Sequence, residues 1–501
     1  MSTFIRKTKT ASGATAVQIV TKRGSDIVAI DHIGSAHNDA DLAGLMESAR
    51  QKLHKDQLRL DLFAEDTQVL SPELMVMKGS YSKLLWKSLE TVYESLGFDE
   101  LEDIIYKDLV LARIIEPTSK LDTIRVLGEL GISDIPTNSS IHRCLRRSID
   151  NDYRAQIEQK CFEAANPAAL NLLLYDVTTL YFEIQKEDGY RVPGMSKERR
   201  LEPQITIGLL CASDGFPLEV QSFEGNRAEV KTIIEVLSAF KARHPHAQIT
   251  VTADAAMLSS KNITELEELG YHYIIASRIA KVPYEIEEYE KEPGQELEDG
   301  QIFDLSVPMN TGRGTKRVNR RVIYQYRQKR ASLDLRNIEK AVAKAEKMVK
   351  GTTDFKRNRF LVVKDGKREI NYALIEKSKL KAGVKGYVTD LDIDAQQVID
   401  AYHQLFQVEK SFRMSKSDLK ARPIFHHKRD SIEAHLTIVF AALAISRFIE
   451  NKTEISIKKY LQILKPIRTG IVAINGRQCE IEPEITGQAI RILKKLDQIG
   501  Y

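Results

Sequence analysis

The spacing of apolar residues divides the chain into a helical part and a part that mixes strands with helices. From Tyr81 to Glu163 apolar residues recur at intervals of three and four positions, which predicts a block of helices. From Leu170 onward the apolar runs become short and nearly continuous, as in buried strands, and alternate with amphipathic helical stretches. Strands that alternate with helices are typical of an α/β domain. We therefore expect a helical region followed by an α/β core.

Two of the predicted strands end at an aspartate. The pattern predicts strands at 170–175, 178–183, 204–211, 218–223, 248–253 and 271–276, and helices at 228–243 and 260–269. The first of these strands is followed at once by Asp176, and the strand at 248–253 is followed at once by Asp254. Each aspartate alone could serve as a turn residue or helix cap.

A third acidic residue lies in a stretch that the periodicity predicts to be one helix, from Ala401 to Lys416. Six residues fall on one side of such a helix because they are spaced by three, four and seven positions. They are Tyr402, Leu405, Glu409, Phe412, Arg413 and Lys416. This side mixes a carboxylate with a phenol and two cations. It is either a surface ion-pair cluster around Glu409 and Arg413 or a functional site.

The three carboxylates can converge in an α/β fold. The carboxyl ends of neighbouring strands and a helix that covers them meet at one edge of the sheet, so Asp176, Asp254 and Glu409 could share one site. Carboxylate oxygens in that number suit Mg²⁺ or Mn²⁺. A pair of such ions stabilises both the attacking and the leaving oxygen in phosphodiester cleavage or transfer. The sequence thus predicts a two-metal site for phosphodiester chemistry.

The helical block contains a candidate DNA-binding motif. A helix from Ser119 to Leu130 is predicted to end at Gly131, and a second helix to begin at a cap residue among 138–140. The exposed side of the second helix carries His142 and three arginines, Arg143, Arg146 and Arg147. A basic second helix after a turn is what a helix-turn-helix protein inserts into the major groove. A solvated basic face on an ordinary helical bundle fits the pattern equally well.

A strongly basic segment precedes the Glu409 helix. Residues 281–392 are rich in glutamate at first, and then 313–350 contain 13 lysines and arginines against three acids. Strands are predicted at 321–326 and 359–363 and a helix at 333–350. The segment is expected to be an inserted subdomain. Its arginines, including Arg317, Arg320 and Arg321, either track a phosphate backbone or form a solvated face.

Composition narrows the class of protein. The 501 residues are 43% hydrophobic and 29% charged with a net charge of +4, as in a globular chain of several domains. The four cysteines show no zinc-binding spacing and are expected to be buried thiols in a reducing compartment. The longest apolar run, Leu436 to Ile445, is too short to span a bilayer and predicts a buried helix. Without an apolar leader, the protein is expected in the cytoplasm.

Several motifs together resemble those of one enzyme family. The spacing of Tyr402, Leu405, Glu409 and Lys416 resembles the Tyr-Arg-Glu-Lys signature of cut-and-paste insertion-sequence transposases, which carry an Asp-Asp-Glu triad. Four further stretches look like motifs of that family, at 175–179, 225–229, 253–258 and 422–426. The resemblance covers roughly residues 170–449. The chain departs from it at Leu405, where the signature has arginine, and at Ala255, where arginine often follows the second aspartate.

This resemblance implies a fold and a site. The fold is an α/β, RNase H-like mixed-sheet catalytic core interrupted by a β-rich basic insertion, with a helical N-terminal DNA-binding region. Asp176, Asp254 and Glu409 would be both the catalytic residues and the ligands of two Mg²⁺ or Mn²⁺ ions. Tyr402 and Lys416 would contact DNA phosphates, and Arg413 could replace the charge missing at Leu405.

The resemblance also implies a function, with two alternatives. The protein would excise and insert an insertion sequence by cutting and joining double-stranded DNA, at the terminal inverted repeats and at a target. It would act as a homodimer on paired ends and would not associate with a membrane. It would be located at the nucleoid, in the cytoplasm of a bacterium or archaeon. A transposase-derived DNA-binding protein that no longer cuts, and a structure-selective RNase H-like nuclease, are the alternatives.

The chain is expected to divide into six regions. They are a small N-terminal α/β region (1–75), a helical candidate DNA-binding domain (76–165), the first part of the catalytic core (166–280), the basic inserted subdomain (281–392), the completion of the core with the Glu409 helix (393–450) and a C-terminal region (451–501).

Overall fold

The computed structural model of the chain describes most of its residues. These are 2–10, 13–54, 75–183, 187–194, 202–245, 249–255, 259–277, 284–289, 292, 295–312, 315–353, 358–364, 367–474, 477–485 and 487–497. They fall into two compact units, Met1–Leu74 and Met75–Tyr501.

The first unit is a small antiparallel sheet covered by one helix. Its elements are β1 (Ser2–Lys9), β2 (Thr15–Arg23), β3 (Asp26–Ala36) and α1 (Asp39–His54). The strands pair in the order β1-β2-β3. Val17 and Ile19 on β2 are buried with Ala49 of α1. The neighbouring Ala16 and Val20 are also buried, so burial along β2 does not follow a strict two-residue alternation.

The second unit begins with one strand and a block of helices, as the periodicity predicts for 81–163. These elements are β4 (Met75–Tyr81), α2 (Lys83–Ser95), α3 (Ile104–Ile115), α4 (Lys120–Glu129), α5 (Asn138–Asp150) and α6 (Tyr153–Ala164). The predicted helix at 119–130 is thus confirmed as α4. The cap of α5 is Thr137 rather than a residue at 138–140, because its hydroxyl accepts a hydrogen bond from the backbone N–H of Ser140.

A mixed α/β part follows the helical block. Its first elements are β5 (Leu172–Tyr181), β6 (Gln204–Ala212), β7 (Pro217–Glu224), α7 (Glu229–Arg243), β8 (Thr250–Ala253), α8 (Ser260–Glu268), β9 (His272–Ser277) and α9 (Tyr284–Tyr289). The chain continues with β10 (Ile302–Asn310), β11 (Arg317–Tyr326), α10 (Gln328–Val349), β12 (Leu361–Lys364), β13 (Lys367–Ile370), α11 (Tyr372–Lys379) and β14 (Val384–Thr389). The last elements are α12 (Ala395–His403), α13 (Phe406–Ser417), α14 (Arg429–Thr453), α15 (Ile457–Leu464), β15 (Thr469–Ile474), β16 (Arg477–Ile481) and α16 (Gly487–Asp497).

Eight of these strands form one sheet in the order β10-β11-β14-β9-β8-β5-β6-β7. Strands β5, β8 and β9 run parallel to one another, and the other pairs are antiparallel. The chain therefore has the large mixed sheet expected of an α/β fold. The strands predicted at 170–175 and 178–183 are one continuous strand, β5, which pairs with β6 along its length. Asp176 accordingly lies inside β5 and not at its end.

The basic segment 281–392 is not separate from the core. Its strands β10, β11 and β14 extend the main sheet beyond β9. Only its outer part, α10 with α11 and the β12–β13 hairpin, has a small core of its own, centred on Ile338, Phe360 and Ile375. Strand pairing thus joins β10, β11 and β14 to the core sheet, and the division of the chain into an inserted subdomain at 281–392 stays a prediction.

The predicted helix at 401–416 is two helices, α12 and α13, separated at Gln404 and Leu405. Leu405 is buried at this junction. The residues on either side of the break therefore do not share one continuous helical face. Both junction residues keep right-handed helical backbone angles, and Tyr402 and Glu409 come from consecutive helices.

The centre of the second unit is α14. This helix packs against α2, α3, α5, β7 and α13, and the predicted apolar run from Leu436 to Ile445 is buried within it. Among the described residues α14 is the one helix long and apolar enough to cross a membrane by length and composition, and it is almost wholly buried inside the protein. Of the cysteines, Cys144, Cys161 and Cys211 are buried as predicted, whereas Cys479 is exposed on β16.

Candidate active site

Two aspartates each follow one residue of a registered pair on neighbouring parallel strands, Asp176 within β5 and Asp254 directly after the end of β8. Tyr175 of β5 is in register with Ala253 of β8, and the next residue on each chain is an aspartate, Asp176 and Asp254. Neighbouring strands are about 4.8 Å apart and residues in register point to the same face. Asp176 is half-buried and Asp254 is exposed. The sheet therefore brings together the two carboxylates that the sequence singles out.

The strand that carries Asp176 is anchored by the residue before it. Tyr175 is fully buried and its hydroxyl donates a hydrogen bond to Oγ1 of Thr232 on α7, at 2.8 Å. Gly208 on β6 leaves room for this ring, since a Cβ at that position would lie 2.4 Å from the Tyr175 hydroxyl oxygen. This packing fixes the position of β5 immediately beside Asp176.

Glu409 reaches the same region from a helix. It lies in the first turn of α13, which packs against β5 and β6 through its buried residues Val408 and Phe412. Glu409 itself is exposed. The preceding helix, α12, contacts Asp254 directly, because the hydroxyl of Tyr402 donates a hydrogen bond to Asp254 Oδ1 at 3.4 Å. The two helices thus lie over the strands that carry the aspartates.

Tyr402 belongs to a buried pair of aromatic rings, and a lysine side chain packs over its ring. Its side chain is 6% exposed, and its ring lies 4.9 Å from that of Tyr387 on β14. The Nζ atom of Lys385 lies 4.0 Å from the centre of the Tyr402 ring, which is a cation–π contact. Burial and then the charge of Asp254 raise the pKa of Tyr402, so its phenol remains protonated and can donate to the carboxylate.

Lys385 is a residue of this region that the sequence pattern does not reveal. Burial and then the nearby Arg330 lower its pKa, while the charges of Asp254 and Glu409 oppose that shift. The charges of two of the three carboxylates therefore act on this ammonium group. The one feature of the sequence that could have indicated a role for Lys385 is its position as a lysine within a strand of otherwise apolar and small residues, Val384–Thr389.

The three carboxylates are not arranged as a complete set of metal ligands in the described part of the chain. Over the described ranges, no group of three His, Cys, Asp or Glu residues is arranged so that it could hold a metal ion. The chemistry of the donors still fits Mg²⁺ or Mn²⁺, since adjacent carboxylates supply hard oxygen ligands and leave positions for substrate phosphates. Residues 256–258, which follow Asp254 in the predicted motif, lie outside the described residues.

Comparison with protein-family models gives a match to the transposase DDE domain over residues 168–445, more than half of the chain. The chain belongs to the DDE transposase family. The resemblance drawn from the motifs around Asp176, Asp254 and Glu409 is thereby confirmed. The DDE domain begins just before β5 and ends within α14, so it includes the main sheet, the basic segment and both helices of the site.

Two other comparisons add little to this assignment. Among solved structures the transposase is similar to the piggyBac transposase synaptic complex with hairpin DNA, determined by cryo-electron microscopy. The identity is 13%, the match covers 77% of this chain and 70% of that one, and the TM-score is 0.37. No curated protein matches the transposase significantly.

The residues of the site helices that are predicted to contact DNA differ in their exposure to solvent. Arg413 is exposed on α13. Lys416, one turn further on, is half-buried, and its Nζ donates a hydrogen bond to Oγ1 of Thr178 on β5. Leu405, where the family signature has arginine, faces the core of the DDE domain.

The three arginines predicted on α5 are all exposed, but they differ in their ion pairs. Arg143 and Arg146 are exposed, and Arg146 pairs with Asp150 on the same helix at 3.4 Å. Arg147 pairs with the buried Asp103 at 2.7 Å, so its charge helps to hold α5 against the start of α3. A nucleic acid could reach all three, although the charge of Arg147 is already engaged by Asp103.

The arginines predicted on β11 differ in the same way. Arg317 is exposed. Arg320 is 4% exposed and forms a two-fold ion pair with Glu267 on α8, with both distances 3.0 Å. Arg321 pairs with Asp304 at 2.6 Å and donates to two backbone carbonyls after β14. The assignment of Arg320 to DNA binding needs correction, because its guanidinium is buried within the fold.

Proposed function

We propose that this DDE transposase cuts and joins DNA with Asp176, Asp254 and Glu409 as its catalytic carboxylates. The observation that carries the proposal is the register of β5 and β8, which pairs Tyr175 with Ala253, the residues directly before Asp176 and Asp254. The charges of Asp254 and Glu409 both act on Lys385, which supports placing the third carboxylate at the same site.

The topology supports an RNase H-like core for this site. Strands β5, β6 and β7 are three consecutive antiparallel strands, and β8 and β9 add in parallel on the other side of β5. In such a mixed sheet the carboxyl ends of the central parallel strands and the helix covering them form one edge. Asp254 lies at that edge, and Asp176 lies beside it on β5.

Asp176 and Asp254 would hold a divalent cation, with Glu409 as the third ligand. Bound Mg²⁺ or Mn²⁺ would stabilise the negative charge that develops on phosphate oxygens during an in-line displacement. The hydroxyl of Tyr402 keeps Asp254 oriented by donating to Oδ1. The ammonium of Lys385 offsets part of the repulsion between the carboxylates before substrate arrives.

The substrate in this proposal is double-stranded DNA with the terminal inverted repeats of an insertion sequence. Hydrolysis at each end would release a 3′-hydroxyl, and its attack on a phosphodiester of target DNA would join the two. A homodimer would hold the paired ends, and the reaction would take place at the nucleoid in the cytoplasm. The exposed Arg143, Arg146, Arg317 and Arg413 supply cations for the DNA backbone.

The test uses linear DNA that carries the element's own ends, with Mg²⁺ or Mn²⁺. Wild type is expected to cut, whereas Glu409→Gln and Asp254→Asn are expected to bind the same DNA and lose cleavage by at least about a thousandfold. Asp400→Asn on α12 is the matched control, since Asp400 is an exposed carboxylate that bonds only to Gln396 of its own helix among the described contacts. Equal cleavage by wild type and Glu409→Gln would overturn the assignment.

A DNA-binding protein that no longer cuts is the second candidate, because the three carboxylates are not closed into a ligand group within the described part of the chain. Wild type that binds the ends and cuts with neither metal would establish this candidate. Cleavage without joining of the cut end to a target would instead establish a nuclease.

A further inference from the structure

A second cluster of charge lines a cavity away from the three carboxylates. The cavity has a volume of about 380 Å³ and lies between the end of α3, the start of α4, the segment after α13, and α14. Its walls carry two arginines, Arg113 and Arg422, two lysines, Lys120 and Lys420, and two histidines, His426 and His435, whose pKa burial lowers. Its wall contains no aspartate or glutamate among the residues that line it.

Lys120 is held in the cavity wall by a histidine instead of an acid. Its Nζ donates to Nδ1 of His435 at 2.5 Å, and Nε2 of His435 donates to the backbone carbonyl of Ala421 at 3.1 Å. His435 is buried on α14, and the His426 ring lies 5.6 Å from it. This arrangement orients the lysine but supplies no counter-charge.

Arg113 adds a second charge that the protein does not compensate. Its side chain is 7% exposed, and no carboxylate in the described part of the chain pairs with it. Burial lowers the pKa of Arg113 to about 10 and, with Arg113 nearby, holds that of Lys120 well below its usual range. A buried cation without a counter-charge costs stability. A ligand that carries negative charge would remove this cost.

The cavity is connected to the candidate active site through the backbone. The N–H of Ile424, in the cavity wall, donates to the carbonyl of Tyr181 at the end of β5, at 3.2 Å. Asp176 lies five residues earlier on the same strand, which is about 17 Å at 3.3 Å per residue. A strand of DNA that passes over the carboxylates could therefore reach the cavity.

We propose that this cavity binds one phosphate group of the DNA backbone, as an anchor at a fixed distance from the scissile bond. The inference rests on the proposed function, because it requires that DNA lies across the site. Arg113 and Lys120 pair with the phosphate oxygens, and His435 keeps Lys120 aimed at them. Phe425 at the cavity wall is exposed and offers an apolar surface to the adjoining sugar or base.

The test measures the affinity for duplex DNA of the element's ends as a function of salt, without divalent metal. Arg113→Met and Lys120→Met are expected to weaken binding by about tenfold at fixed salt and to reduce the slope of log affinity against log salt by about one. Lys459→Met is the matched control, since it removes an exposed charge from α15 that does not line the cavity. Its affinity should change little.

Thermal unfolding separates loss of binding from loss of folding. Without DNA, Lys120→Met is expected to unfold at or above the wild-type temperature, because an uncompensated charge has been removed. Lys120→Arg, which keeps the charge, should retain the wild-type salt slope. If Arg113→Met unfolds, Lys120→Met and Lys120→Arg still decide the question.

Three results would overturn the inference. If both cavity variants bind DNA with wild-type affinity and slope while wild type cuts, the anchor is wrong and the proposed function stands. If inorganic phosphate stabilises wild type but not Arg113→Met, and the salt slopes for DNA are equal, the cavity takes free phosphate instead. If wild type binds no DNA at all, the proposed function fails, and the anchor fails with it.

Discussion

Tyr402 shows how one side chain can serve both packing and chemistry. Its ring packs on Tyr387 and beneath Lys385, and its hydroxyl reaches Asp254. Tyr402→Phe removes only the hydroxyl, so we expect the free energy of unfolding to fall by about 0.5–1.5 kcal/mol while DNA cleavage slows. Tyr402→Ala also leaves a cavity and should cost about 3–5 kcal/mol. Chemical denaturation of both variants and the single-turnover cleavage rate measure these effects. An unchanged rate in Tyr402→Phe would remove the orienting role.

Arg320 is expected to act on stability and not on DNA. Its ion pair with Glu267 ties β11 to α8, but Glu267 is itself about one-third exposed. Arg320→Met should therefore lower the free energy of unfolding by about 1–3 kcal/mol, less than for a fully buried pair. The salt slope of DNA binding should stay at the wild-type value. Arg317→Met, which removes an exposed charge from the same strand, is the contrasting variant. A lowered slope in Arg320→Met would restore the DNA assignment.

Asp108 makes stability depend on pH. It lies on α3, it is 3% exposed, and burial raises its pKa to about 7. In the unfolded chain an aspartate titrates near pH 4. Between about pH 4 and pH 7 the folded state therefore binds the proton more tightly, so the free energy of unfolding should fall as the pH rises and level off above 7.

Replacing this carboxyl group tests the pH dependence directly. Asp108→Asn should remove the slope between pH 4 and 7, which amounts to roughly 4 kcal/mol at most for a shift of three pKa units. Urea denaturation of wild type and variant at several pH values measures it. Equal slopes in the two proteins would show that Asp108 does not titrate in this range.

The junction between α12 and α13 depends on the residue that departs from the family signature. Leu405 is 7% exposed and is the cap residue directly before α13. Leu405→Arg restores the signature residue but places a charge in an apolar site, so it should lower the free energy of unfolding by at least about 2 kcal/mol. DNA affinity should not increase. Equilibrium denaturation and DNA titration of the variant are the measurements, and tighter binding with full stability would contradict this view.

Most elements of the DDE domain could be predicted from the sequence because their signals are local. The bounds of β6, β7, α7, α8 and β9 agree with the apolar pattern to within one or two residues. The continuity of β5 through Asp176 was not predictable from apolar runs, since one polar residue looks like an end. Its neighbours Val177 and Thr178 favour a strand, and pairing with β6 extends it.

The parts that sequence could not predict depend on pairing between distant residues. The basic segment looks separate because its charge differs from its surroundings, yet β14 pairs with β9 across more than one hundred residues. Lys385 reaches the carboxylates by that pairing alone. The split between α12 and α13 is equally hidden, because Leu405 continues the apolar period across the break. The motifs single out Asp176, Asp254 and Glu409, and their catalytic role stays a prediction.

At the scale of the whole second unit, Arg447 connects three elements. It is 1% exposed on α14 and donates to the carbonyl of Gly215 in the β6–β7 turn at 3.2 Å, and to Gln407 of α13 at 3.0 Å. It also pairs with the buried Glu450 at 3.2 Å. Arg447→Met should lower the free energy of unfolding by about 3–5 kcal/mol, because Glu450 loses its buried partner and the turn loses a donor.

The outer partner of Glu450 provides the control for this variant. Lys410 of α13 pairs with Glu450 at 3.0 Å but is more exposed, so Lys410→Met should cost less than about 1 kcal/mol. Calorimetry of both variants gives the comparison. If the two unfold at the same temperature, Arg447 does not hold these elements together.

The pairing of β4 with β15 has a consequence for synthesis on the ribosome. Tyr81 of β4 pairs with Thr469 of β15. The strand at the start of the second unit therefore stays unpaired until the ribosome has added almost four hundred further residues. The helices made early also pack against α14, which comes after residue 428. A nascent chain interrupted by a frameshift or stop codon before that point leaves its early helices without their core. A damaged gene copy would therefore yield aggregation-prone fragments for proteases and not a shortened enzyme that could still occupy DNA ends.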